Sequence, residues 1–76
     1  MEQFTRINHD IEIMGGKACI KGTRVTVGML LMQISEGVSV DDLLREYPYI
    51  KSEDITEALR YAAWTLDATE SGIISA

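Results

Sequence analysis

Thr26, Ser39 and Ser52 each stand immediately before a run with apolar residues at helical spacing, and this punctuation constrains the fold more than any other feature of the chain. After Thr26 the spacing predicts a helix over about residues 27–36, with Gly37 as the residue that stops it. Val27, Leu30, Leu31 and Ile34 form its apolar stripe, while Met29 and Met32 lie off it. After Ser39, the residues Val40, Leu43, Leu44 and Tyr47 fall at i, i+3, i+4 and i+7, and Asp42 resembles the far member of a capping box. Pro48 forces Tyr47 out of helical geometry and ends this second helix. Ser52 is the expected cap of the third. Glu53 and Asp54 suit the positive end of its dipole, and Gly72 sets its latest end. Ile55, Ala58, Leu59, Ala62 and Leu66 line one face, with Tyr61 and Trp64 on roughly the opposite side.

The first 26 residues read as short extended segments. Phe4-Thr5-Arg6-Ile7 and Ile11-Glu12-Ile13 alternate, and Asn8-His9-Asp10 between them has turn-forming chemistry. Gly15-Gly16 breaks the chain, and Ala18-Cys19-Ile20 and Arg24-Val25-Thr26-Val27 are strand candidates flanking Lys21-Gly22-Thr23. The expected architecture is one mainly α domain over residues 1–76, a three-helix, helix-turn-helix or winged-helix-like unit with short N-terminal β-strands. Residues 1–26 carry the strands and basic loops, 27–71 the helices, and 72–76 a tail.

A core of this size yields only about 3–5 kcal/mol without disulfides, metals or oligomerisation. Cys19 is the only cysteine and His9 the only histidine, so neither an internal disulfide nor a Cys/His zinc site can form, and no metal or cofactor is expected. Self-association is the remaining source of stability. The apolar residues off the main stripes, Met29, Met32, Tyr61 and Trp64, are the candidate homodimer or partner interface.

No stretch approaches the roughly 20 apolar residues of a membrane span, and Glu2 and Arg6 around a single Phe4 do not make a signal peptide, so a cytoplasmic location is expected. The net charge of −5 argues against a protein that coats nucleic acid non-specifically. The charge is nonetheless segregated. Residues 14–27 hold three bases and no acids, which makes Lys17, Lys21, Thr23 and Arg24 the candidate nucleic-acid contacts. From Val38 onward eight acids outweigh three bases, and Asp41, Asp42, Glu46, Glu53, Asp54 and Glu57 form a candidate acidic partner surface.

Catalytic patterns fail one by one. Gly15-Gly16-Lys17 lacks the earlier glycine and the following Ser or Thr of a phosphate-binding loop. Cys19 sits in an apolar run, and His9 and Asp10 are adjacent in a turn, where side chains seldom face each other. No nucleophile, base and oxyanion donor assemble, so neither enzyme activity nor a small-molecule substrate is expected. The second and third helices have the spacing of a helix-turn-helix, but Glu53, Asp54, Thr56 and Glu57 would meet phosphates with only Arg60 to offset them. Charge therefore disfavours classical major-groove reading by that helix from this chain alone.

Gly15-Gly16-Lys17, Ile20, Gly22-Thr23-Arg24 and Val27, followed by Tyr47-Pro48, resemble a widespread prokaryotic family of short proteins of unknown function whose members are described as VapB-type antitoxins. The resemblance covers about residues 6–63, with Ala18 where the family often has proline. It implies a winged-helix-like or helix-turn-helix fold and a PIN-domain toxin, an RNA-cleaving protein, as partner. The acidic surface would then face the toxin, and the basic loop would contact operator DNA. The alternative is a small DNA-binding or protein-interaction module unrelated to toxins. A neighbouring short reading frame with several spaced acidic residues separates the two.

Overall fold

The computed structural model describes residues 4–70. Thr26 caps the first helix, α1 (Val27–Ser35), its hydroxyl accepting the Met29 N–H at 3.0 Å. The helix closes as a Schellman motif, in which Gly37 N–H bonds the Ile34 carbonyl and Val38 N–H the Gln33 carbonyl, both at 3.0 Å. That geometry needs a left-handed residue, and Gly37 supplies it at φ 92°. Ser39 caps α2 (Val40–Glu46) through the Asp42 N–H at 3.1 Å, and the chain leaves helical backbone at Tyr47 (φ −121°, ψ 75°), just before Pro48.

The third helix, α3 (Ser52–Glu70), departs from expectation at its start. Ser52 is its first helical residue rather than the flanking cap, and Asp54 accepts the Lys51 N–H at 2.8 Å. The carboxylate three residues into the helix therefore closes the end that the serine was expected to close. Gly72 lies outside the described residues.

Two strands, β1 (Ile7–His9) and β2 (Ala18–Ile20), pair antiparallel with Ile7 opposite Ile20 and His9 opposite Ala18. Asn8 and His9 are thus strand residues, not a turn. The segment Ile11–Ile13 is the turn: the Asp10 carboxylate takes the Glu12 N–H at 2.9 Å and its carbonyl takes the Ile13 N–H at 2.8 Å. Ile11 is consequently 78% exposed. Arg24–Val27 contributes only an isolated bridge, Thr26 to Cys19.

The fold is therefore a small, mainly helical domain of three helices with a two-stranded antiparallel sheet at its N-terminal end. Leu30, Leu43, Ile55 and Val25 are its largest fully buried aliphatic side chains, joined by Phe4, Ile7 and Ile20 from the N-terminal segment. Ile55 and Ala58 enter this core as their stripe predicts, but Leu59 and Leu66 of the same stripe stay 41% and 60% exposed. The sheet and α1 cover one side of α3 and leave part of its apolar surface uncovered.

Candidate functional site

The six candidate acidic residues separate into two groups. Asp41, Asp42 and Glu46 on α2 and Glu53 at the start of α3 face solvent. Asp42 is bridged by Arg45 one turn on, and Glu46 lies 3.5 Å from the Gln33 amide. A hydrogen bond from its own backbone N–H and one from the Ser52 hydroxyl hold the Glu53 carboxyl below the ordinary carboxylate range. Asp54 and Glu57 are otherwise engaged. Asp54 is 7% exposed and binds the Arg6 guanidinium at 3.0 Å, while Glu57 accepts the Arg6 backbone N–H. These two carboxylates tie the N-terminal segment to α3, so the exposed acidic surface reduces to Asp41, Asp42, Glu46 and Glu53. The Arg6 cluster was hidden from sequence reasoning because its members lie about fifty positions apart and Asp54 has a local helix-dipole explanation.

Lys17, Lys21 and Arg24 project into solvent. Thr23 does not join them: its hydroxyl donates to the Ile20 carbonyl at 2.8 Å and accepts the Val25 N–H at 3.0 Å. With Gly22 at φ 81°, this latch closes the loop between Ile20 and Val25 and sets the direction of its flanking cations. The cations do not share one depression. Arg24 borders a shallow one of about 430 Å³ together with Ile13 and Tyr49, whose ring is 63% exposed. Tyr49 was missed in the sequence, where the Pro48 turn accounted for it. Lys17 instead stands at the rim of a larger groove.

That groove, about 990 Å³, lies between α1 and the C-terminal half of α3. Met29, Leu31, Met32, Tyr61 and Leu66 make it apolar, so three of the four candidate interface residues meet here. Trp64 is the exception. It leans on Phe4 at a ring separation of 5.7 Å, and Tyr61 meets the same ring edge-on at 5.4 Å. The N-terminal segment thus covers part of the second face of α3, and the remainder is groove.

His9 Nε2 lies 3.0 Å from the Tyr61 hydroxyl, not against Asp10, and Cys19 is 1% exposed, where burial pushes its thiol pKa up. Among the described residues no three of His, Cys, Asp and Glu converge as a metal site requires, and no helix is long and apolar enough to cross a membrane.

No curated protein matches this chain. A crystal structure at 2.00 Å of a DUF433 member protein from Anabaena variabilis ATCC 29413 has a similar fold, with a TM-score of 0.78 at 26% identity over 95% of this chain and 72% of that one. Residues 7–62 match the family described as protein of unknown function (DUF433). That span runs from the first strand into the middle of α3, and the chain belongs to the DUF433 family.

Proposed function

We propose that this chain is the antitoxin half of a VapBC-like pair, a non-enzymatic cytoplasmic domain that neutralises a PIN-domain ribonuclease and represses its own operator. One observation carries the reading: Asp41, Asp42, Glu46 and Glu53 all face solvent on α2 and the adjoining first turn of α3. A ribonuclease must present basic surface to hold RNA, and a partner with exposed carboxylates can occupy that surface. Basic residues of the Gly15–Val27 segment supply the opposite character, so protein and DNA contacts would use separate parts of the chain.

The test begins with the reading frame next to this gene and, where it encodes a ribonuclease, uses that protein as the partner. The double variant Asp41→Lys, Glu53→Lys should slow association about ten-fold and flatten its dependence on salt, since steering charges are screened over about 10 Å at 0.1 M. Relief of ribonuclease inhibition should follow. If the on-rate ignores both salt and charge reversal, toxin docking through the acidic surface is wrong.

Operator binding has its own measurement. Lys17→Ala, Lys21→Ala and Arg24→Ala together should abolish gel shifts while leaving thermal stability and toxin inhibition intact. Three phosphate contacts per subunit predict a log–log salt slope of about −5 for a dimer, from about −0.9 per contact. A slope near zero, or a loss of folding in the triple variant, would assign these cations to the fold instead.

A further inference from the structure

We infer that the groove between α1 and α3 is the seat of a second copy of this chain, docked groove to groove about a two-fold axis. The inference does not depend on the antitoxin reading, and a Lys17 paired across the dimer would leave Lys21 and Arg24 of each copy for DNA, which lowers the expected salt slope to about −4. A two-fold interface must be self-complementary, with every knob and its socket on the same patch. This surface satisfies that condition in three ways.

The first is shape. Met32 and Leu66 are 62% and 60% exposed, and both border the groove they would fill on the partner. The second is charge. Lys17 lies just before β2, where Cys19 bridges the Thr26 cap at the beginning of α1, whereas Glu36 caps the other end of that helix. Both residues border the groove, so it carries a cation at one end and an anion at the other. A two-fold rotation exchanges the ends and sets each Lys17 against the other copy's Glu36. The third is hydrogen bonding. Gln33 Oε1 and Thr65 Oγ1 are both buried polar atoms with no partner among the described residues, and both residues line the groove. One is an acceptor and the other a donor, so Thr65 of each copy can donate to Gln33 of the other after a side-chain rotation. Buried polar groups without a partner are uncommon, and rotating these two outward would let a second copy satisfy both.

The experiment is sedimentation equilibrium on the full chain, from micromolar to near-millimolar concentration, with helicity followed by circular dichroism. The wild type should reach twice the mass of one chain. Leu66→Asp, at an exposed position that the core does not need, should weaken association about thirty-fold or more with helicity unchanged. Lys17→Glu alone and Glu36→Lys alone should each weaken it about three-fold, as rim charges do, and the double exchange should restore it. Recovery in the double variant is specific to the two-fold arrangement.

A monomeric wild type throughout overturns the inference, as does a dimer indifferent to Leu66→Asp, which would use another face. Failure of the double exchange to rescue overturns the two-fold geometry. Ribonuclease inhibition is scored separately: a monomer that still inhibits leaves the antitoxin reading standing, and a dimer that never inhibits leaves this one standing. If Leu66→Asp abolishes inhibition while the wild type is monomeric, the groove belongs to the toxin.

Discussion

Phe4→Ala is expected to lower the stability of this domain by about 3 kcal/mol, enough to leave much of it unfolded at 37 °C. Phe4 is 5% exposed although it stands near the start of the chain, because its ring is inserted against Tyr61 and Trp64 of α3. Truncating a buried phenylalanine costs about 3–5 kcal/mol, and a core of this size supplies no more than that in total. The lower end applies because Trp64, one wall of the site, is 39% exposed and can settle into the space left behind. Urea unfolding reads the effect directly, since Trp64 is the only tryptophan and reports on this contact. Phe4→Leu should recover most of the loss, keeping bulk but not the edge-to-face ring contact, worth about 0.5–1.5 kcal/mol. A Phe4→Ala midpoint indistinguishable from wild type would mean that α3 holds its place without the N-terminal segment.

The contrast between the two halves of the chain follows from where their constraints lie. Thr26, Ser39 and Gly37 act on atoms within five residues of themselves, so their chemistry is visible in sequence, and α1 and α2 begin and end within about a residue of their signals. The N-terminal segment is built from non-local pairings. Asn8 and His9 have turn chemistry taken alone, and become strand residues because Cys19 and Ala18 lie opposite them. Ile11-Glu12-Ile13 alternates like a strand, yet two hydrogen bonds to Asp10 hold it as a turn, with no third strand among the described residues for it to join. Three-residue strands carry too little alternation to separate these cases.

The candidate surfaces were legible to the same degree. Charge segregation marks Lys17, Lys21 and Arg24, and all three are exposed. It cannot reveal that the Thr23 hydroxyl is spent on the Ile20 carbonyl, nor that Lys17 and Arg24 border different depressions. Met29, Met32 and Tyr61 stand out as apolar residues on second faces, but that α1 and α3 converge to make one groove of them is a property of helix packing. Gln33 and Thr65 carried no signal, since polar residues on helices are ordinarily solvated.

Asp54 illustrates how a local explanation can conceal a structural role, and its removal is expected to be the second most damaging change outside the aliphatic core. Asp54→Ala should cost about 2 kcal/mol and lower the melting temperature by about 10 °C. One carboxylate oxygen accepts from Arg6 at 3.0 Å and the other from the Lys51 N–H at 2.8 Å, with only 11% of the side chain exposed. Alanine leaves the Lys51 N–H and the Arg6 guanidinium without their acceptor. The figure sits below the roughly 3–5 kcal/mol of a fully buried pair because Arg6 is 39% exposed and water can take over part of its solvation. A double-mutant cycle with Arg6→Ala should return a coupling of about 1 kcal/mol, the remainder belonging to the Lys51 contact and the first turn of α3. Its neighbour Glu53 provides the control, being fully exposed and free of any cation partner in an ion pair among the described residues. On the proposed antitoxin reading, Asp54→Ala should move the melt and leave the on-rate of the surviving folded fraction for the proposed toxin unchanged. Glu53→Lys should slow association while moving the melt by less than Asp54→Ala does. If the two residues exchange these phenotypes, the acidic partner surface includes Asp54 and the Arg6 contact is dispensable.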